Sequence, residues 1–180
     1  MQSGLSQALA LTPVESVDPE KYQGKWHEVA LIPYFFERKC TQNAFVRYTI
    51  LDEESDKQPV FEDYFQCETK PGKTKEFLGR AKVVDTDSNA ILSATFFKLF
   101  GWRYWFGKNY WIIGLDDNYE YAVVGVPSLK YGWVFSRKPA LTPDQWESVK
   151  TTLGDQGYDL CKFETVPQDG GLQERQSLCE

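Results

Sequence analysis

The stretch KYQGKWHEVA, Lys21 to Ala30, sets a glycine two residues before a tryptophan at the head of a strand-like run. Glycine is the residue of greatest backbone freedom, and tryptophan carries one of the largest apolar surfaces. What the tryptophan packs against depends on what the following residues build.

They build strands. After Gly24–Leu31 come runs at 43–51, 60–67, 75–84, 90–97, 109–115, 120–125 and 131–137, each short and rich in β-branched or aromatic residues. Turn chemistry separates them, as in Lys70-Pro71-Gly72-Lys73, Asp87-Ser88-Asn89 and Asp116-Asp117-Asn118. No helical pattern interrupts the series. Eight strands at regular spacing predict an all-β fold, an antiparallel barrel or sandwich. One helix follows. Thr142-Pro143-Asp144-Gln145 is a capping box with proline at the first helical position, Trp146, Val149 and Leu153 form an apolar stripe, and Gly157 is a stop. Leu160–Thr165 reads as a short ninth strand.

At 180 residues the chain is one domain, and its charged and hydrophobic fractions are those of a globular protein. Aromatic residues make up 16%, which suits an aromatic core or an apolar pocket. The net charge of −6 argues against nucleic acid as a partner. No apolar run is long enough to span a membrane as a helix. The four cysteines, Cys40, Cys67, Cys161 and Cys179, form no CxxC pair, and the chain has one histidine, so a metal site is not expected. An even, dispersed set fits two disulfides and an oxidising compartment, with any leader already removed; spacing alone does not choose among three pairings.

An up-and-down barrel of eight strands is just wide enough to be filled by side chains or to hold one small ligand. The order of eight strands, a helix and a strand resembles the lipocalins. Their motifs stand here as Gly24-Lys25-Trp26, Asp116-Asp117-Asn118-Tyr119 and Ser136-Arg137. The segments Ile32–Gln42, Asp116–Pro139 and Gln156–Gln168 are similar to the branch that includes bacterial outer-membrane lipocalins, plant temperature-induced lipocalins and apolipoprotein D. The likeness spans about Val17 to Gln168. It implies an eight-stranded antiparallel up-and-down calyx with one C-terminal helix and a short ninth strand. Residues 1–16 would be a flexible extension, 17–168 the lipocalin domain, and 169–180 a tail tethered by Cys179.

The resemblance gives Trp26 a role: it closes the narrow end from inside, with Arg137 across its ring and Gly24 relieving a clash beneath. His27, beside it, faces outward by alternation. A small hydrophobic ligand, such as a fatty acid or lysophospholipid, is the expected cargo, with no cofactor. The expected lining is Glu28, Ala30, Val46, Tyr48, Phe77, Phe96, Trp111, Ile113, Trp133 and Phe135. Glu28 is either a buried partner for a tyrosine or arginine, or an anchor for a ligand headgroup. The Phe96–Phe106 segment joins the fifth and sixth strands at the open mouth, with Lys98 and Arg103 among its aromatics. It either lines the mouth or docks on a lipid surface. The tail's likeness to beta-lactoglobulin implies Cys67–Cys179 and Cys40–Cys161; the apolipoprotein D pattern implies Cys40–Cys179 and Cys67–Cys161. No cysteine precedes Cys40, so this sequence offers no lipobox for acylation. A monomer or weak homodimer is expected.

Two other functions remain open. A lipocalin-type enzyme acting on a lipid or carotenoid would rest on Glu28, Tyr48 or Asp63, and two carboxyls facing each other inside the cup would favour it. A carotenoid or tetrapyrrole carrier would be coloured.

Overall fold

A computed structural model describes residues 11–51 and 58–180. The chain enters through a one-turn helix, α1 (Pro19–Tyr22), whose N-terminal amides at Glu20 and Lys21 are accepted by the Asp18 carboxylate. Eight antiparallel strands follow: β1 (Gly24–Leu31), β2 (Gln42–Leu51), β3 (Val60–Lys70), β4 (Lys73–Val83), β5 (Ile91–Thr95), β6 (Tyr110–Leu115), β7 (Tyr121–Gly125) and β8 (Gly132–Ser136). Each pairs with the next, and β8 returns to β1. The first half of β1 also pairs with β2, in the register Trp26 to Val46, and this closes the barrel. Helix α2 (Pro143–Asp155) carries both arms of the Thr142–Gln145 capping box.

The ninth strand, β9 (Glu164–Thr165), is shorter than expected and pairs with the end of β1. Residues Leu160–Lys162 form a 3-10 turn instead, because the Asp159 carboxylate accepts the Cys161 amide and fixes a local turn. The fifth strand likewise stops at Thr95, whose hydroxyl accepts the Phe97 amide in place of a ladder partner.

Apolar side chains form two layers. One fills the barrel and includes Trp26, Tyr48, Phe65, Val124 and Phe135. The other lies outside the wall, where Val149 and Leu153 of α2 cover Ile113, Val123 and Val134. The helix comes so close that a Cβ on Gly114 would lie 2.9 Å from the Thr152 methyl. Residues 1–10 of the expected N-terminal extension lie outside the described residues. The remainder is held against the barrel: Leu11 is buried in the outer layer, and the Val14 amide donates to the Ile112 carbonyl at 2.9 Å.

Candidate functional site

The narrow end is built around Trp26. The Arg137 guanidinium lies 3.7 Å from the centre of its ring and donates to the carbonyls of Lys21, Tyr22, Gln23, Lys25 and Tyr119. Gly24 has φ of +102°, and a Cβ there would sit 3.1 Å from the guanidinium. A glycine is therefore required on both backbone and steric grounds. Above Trp26, the buried hydroxyls of Tyr22 and Tyr48 both meet that of Tyr110, at 2.7 and 3.0 Å. Burial raises all three phenols, which therefore stay neutral.

Three carboxyls are buried, Glu28 and Asp63 among the sequence candidates and Glu37 beside them. Glu28 of β1, Glu37 of the β1–β2 loop and Asp63 of β3 are only 1%, 7% and 4% exposed. Glu28 and Glu37 share a hydrogen bond, and Glu37 also accepts from the Tyr34 hydroxyl and the Trp133 indole. Burial raises both members of the pair. Glu28 is raised further by the neighbouring Glu37, so the pair keeps one proton between the two carboxyls. Burial, with repulsion from Glu37, pushes the Asp63 carboxyl up to about 7. Oε1 of Glu28 and Oδ1 of Asp63 have no hydrogen-bond partner.

The mouth is stoppered by one loop, residues 33–39. Tyr34 packs edge-on against Trp133 and Tyr131, and Phe36 packs against Phe77 and Phe96. Lys75 of β4 donates to the Phe36 carbonyl at 2.9 Å. A cleft of about 420 Å³ runs between this loop and the C-terminal tail, and Glu37, Glu164 and Arg175 line it. Beyond the loop the β5–β6 segment folds as a small hairpin. Its tip is Phe100-Gly101, both at positive φ, with Lys98 bridged to Trp102. Phe100, Phe106, Trp105 and Phe35 stand 94%, 69%, 67% and 66% exposed.

The barrel brings together Glu28, Val46, Tyr48, Trp133 and Phe135, while Phe77 and Phe96 meet at the mouth. Three expected lining residues point elsewhere. Ala30 faces the outer layer because a bulge at Val29 reverses the alternation of β1; Leu31 takes the inward position. Trp111 and Ile113 also face outward, and Tyr110 and Ile112 point in. Both faces of β6 are apolar, so composition does not separate inside from outside. Glu37 and Gln168 are two side chains that the sequence reading did not single out. Gln168 is buried and donates to the carbonyls of Glu28 and Ala44, and its oxygen lies 3.3 Å from the outward His27. A carboxylate inside the aromatic run Tyr34-Phe35-Phe36-Glu37 was the available signal for the first.

Both expected disulfide pairings are corrected. The bonds are Cys40–Cys67, which ties the mouth loop to β3, and Cys161–Cys179, which ties the tail beside β9. Chain neighbours in space decide the pairing: Thr41 donates to the Glu68 carbonyl, and Leu178 to that of Phe163. No cysteine remains free to hold a pigment.

A closed eight-stranded calyx with a tryptophan–arginine plug and a flanking helix defines a small-molecule-binding barrel. The Lipocalin-like domain family matches residues 17–168, and the chain belongs to the lipocalins, proteins that bind small hydrophobic ligands. It is 27% identical over 165 residues to temperature-induced lipocalin-1 of Arabidopsis thaliana, covering 86% of this chain and 81% of the relative. It is also 27% identical over 160 residues to outer membrane lipoprotein Blc of Escherichia coli, covering 89% and 84%. Among solved structures the cockroach allergen Per a 4 superposes with a TM-score of 0.62 at 20% identity, covering 88% of this chain and 92% of that one.

Proposed function

We propose that this lipocalin takes up a single-chain lipid, such as a fatty acid or lysophospholipid, from a membrane surface and carries it in the barrel. The observation that carries this is the mouth. Side chains of one loop stopper it, and exposed Phe35, Phe100, Trp105 and Phe106 surround it. Monomeric proteins rarely leave so much aromatic surface uncovered. Basic residues accompany it: Arg38, Lys39, Lys98, Arg103 and Lys108 are exposed there, and no acid occurs between Asp87 and Asp116 although the chain carries a net charge of −6. That combination suits an anionic bilayer. Two disulfides support an oxidising compartment. The likeness to an outer membrane lipoprotein and a temperature-induced lipocalin favours work in membrane-lipid maintenance or stress. Titration with a lysophospholipid below its critical micelle concentration tests the reading. Saturable one-to-one binding supports it, and unsaturable partition or no binding overturns it.

One observation favours a second reading, acid–base chemistry on a bound lipid or carotenoid: the facing carboxyls of Glu28 and Glu37. Incubation with lipid and carotenoid extracts, followed by mass analysis, tests it; unchanged masses count against it.

A further inference from the structure

The three interior carboxyls have no buried counter-charge. Among the described residues no lysine or arginine is buried, yet Glu28, Glu37 and Asp63 are. The cation that acts on Glu28 and Glu37, Arg175, is exposed. Its guanidinium is engaged outside the barrel by the Cys40 carbonyl at 3.1 Å and by Glu164 at 3.7 Å. A buried carboxylate is retained only with a partner or a proton. Here one proton is shared by Glu28 and Glu37, and two oxygens, Oε1 of Glu28 and Oδ1 of Asp63, have nothing to accept from.

These three groups come from separate elements: β1, the mouth loop and β3. The neighbours that face them are aromatic. Tyr34 and Trp133 contact Glu37, and Tyr48 stands opposite Asp63 in the β2–β3 register. Aromatic side chains grouped with carboxylates are common surroundings for organic cations. Below and beside them, Val46, Phe65 and Phe77 supply an apolar wall for a chain. The cleft between the mouth loop and the tail reaches Glu37 from outside.

We infer that Glu28, Glu37 and Asp63 form a subsite for the protonated nitrogen of an amphiphilic amine. The ammonium nitrogen donates to the unpartnered oxygens, the proton shared by Glu28 and Glu37 is released to solvent, and the aliphatic chain lies along the barrel wall. This rests on the carrier reading and narrows it, because a ligand carboxylate among three acids meets repulsion and unpartnered acceptors.

The test compares tetradecylamine, tetradecanol and myristate, each below its critical micelle concentration at neutral pH, by displacement of one lipophilic fluorophore from the full-length protein. The amine is expected to bind about tenfold or more tighter than the other two. Glu28→Gln and Asp63→Asn, each checked for a folded state by circular dichroism, are expected to weaken the amine relative to tetradecanol and so remove most of that advantage. Equal or weaker binding of the amine overturns the subsite, as does an advantage that survives in both folded variants. If tetradecanol binds without amine preference, the carrier reading stands and the subsite falls; if none of the three binds, both fall. Should a variant fail to fold, the ranking on the unmodified protein decides.

Discussion

Arg137 stacks its guanidinium on Trp26 while five of its hydrogen bonds hold α1, the entry to β1 and the β6–β7 turn. One side chain therefore locks three chain segments over the narrow end. Arg137→Ala is expected to destabilise the fold by about 2–3 kcal/mol, combining a cation–π contact of about 0.5–2 kcal/mol with carbonyls left unpaired. Arg137→Lys retains the charge but not the planar fork, so it should recover less than half of the loss. Urea denaturation measures both. A loss below about 0.5 kcal/mol for the alanine variant contradicts this role.

Asp63 predicts a pH dependence. Its carboxyl is pushed up to about 7 from 3.8, so the folded chain binds this proton more tightly than the unfolded chain does. Stability from this group is fully present below about pH 4, falls as pH rises toward 7, and is level beyond. The change is on the order of 4 kcal/mol. Glu28 and Glu37, also raised, add to the same slope. Asp63→Asn should flatten that slope and raise the melting temperature above neutral pH. Superimposable profiles for the two proteins contradict the assignment.

The disulfides give a direct structural prediction. A non-reducing peptide map should recover Cys40 linked to Cys67 and Cys161 linked to Cys179. Replacing the first pair by serine opens a loop of 27 residues and should destabilise by about 3–4 kcal/mol; the second closes 18 residues and should contribute about 3 kcal/mol. Crossed peptides in the map contradict the fold of the mouth loop and tail.

The mouth predicts a membrane response. The protein should bind vesicles containing phosphatidylglycerol more tightly than neutral ones, and salt should weaken that binding. Phe100→Ser combined with Trp105→Ser removes two exposed aromatic rings and should reduce binding about tenfold or more, with no loss of stability. Vesicle binding unaffected by the double substitution contradicts a docking role for this hairpin.

Much of the barrel is legible in the sequence, because strand length, turn residues and the three spaced motifs all point the same way. The eighth strand reads correctly from alternation, since Arg137 fixes which neighbours share its face. Alternation fails where a second apolar layer covers the wall: Ile113 is as buried in the outer layer as Tyr110 and Ile112 are within, and Trp111 packs against that layer. It fails again at Ala30, where the bulge at Val29 inserts one residue. Glu28 and Asp63 stand out on a strand as carboxylates among apolar residues. Glu37 does not, because its burial depends on a loop folding back into the mouth. Disulfide pairing is set by which segments the closed barrel brings together, and no spacing rule encodes that.

The most direct measurement is native mass spectrometry of the purified, untagged protein incubated with a small excess of single-chain lipids. One lipid-sized adduct per chain is expected, saturating at one, released intact on collisional activation, and accompanied by a protein mass four hydrogens below that of the reduced chain. A bare protein at every lipid concentration, or a ladder of adducts that never saturates, contradicts the claim that this barrel is a lipid carrier.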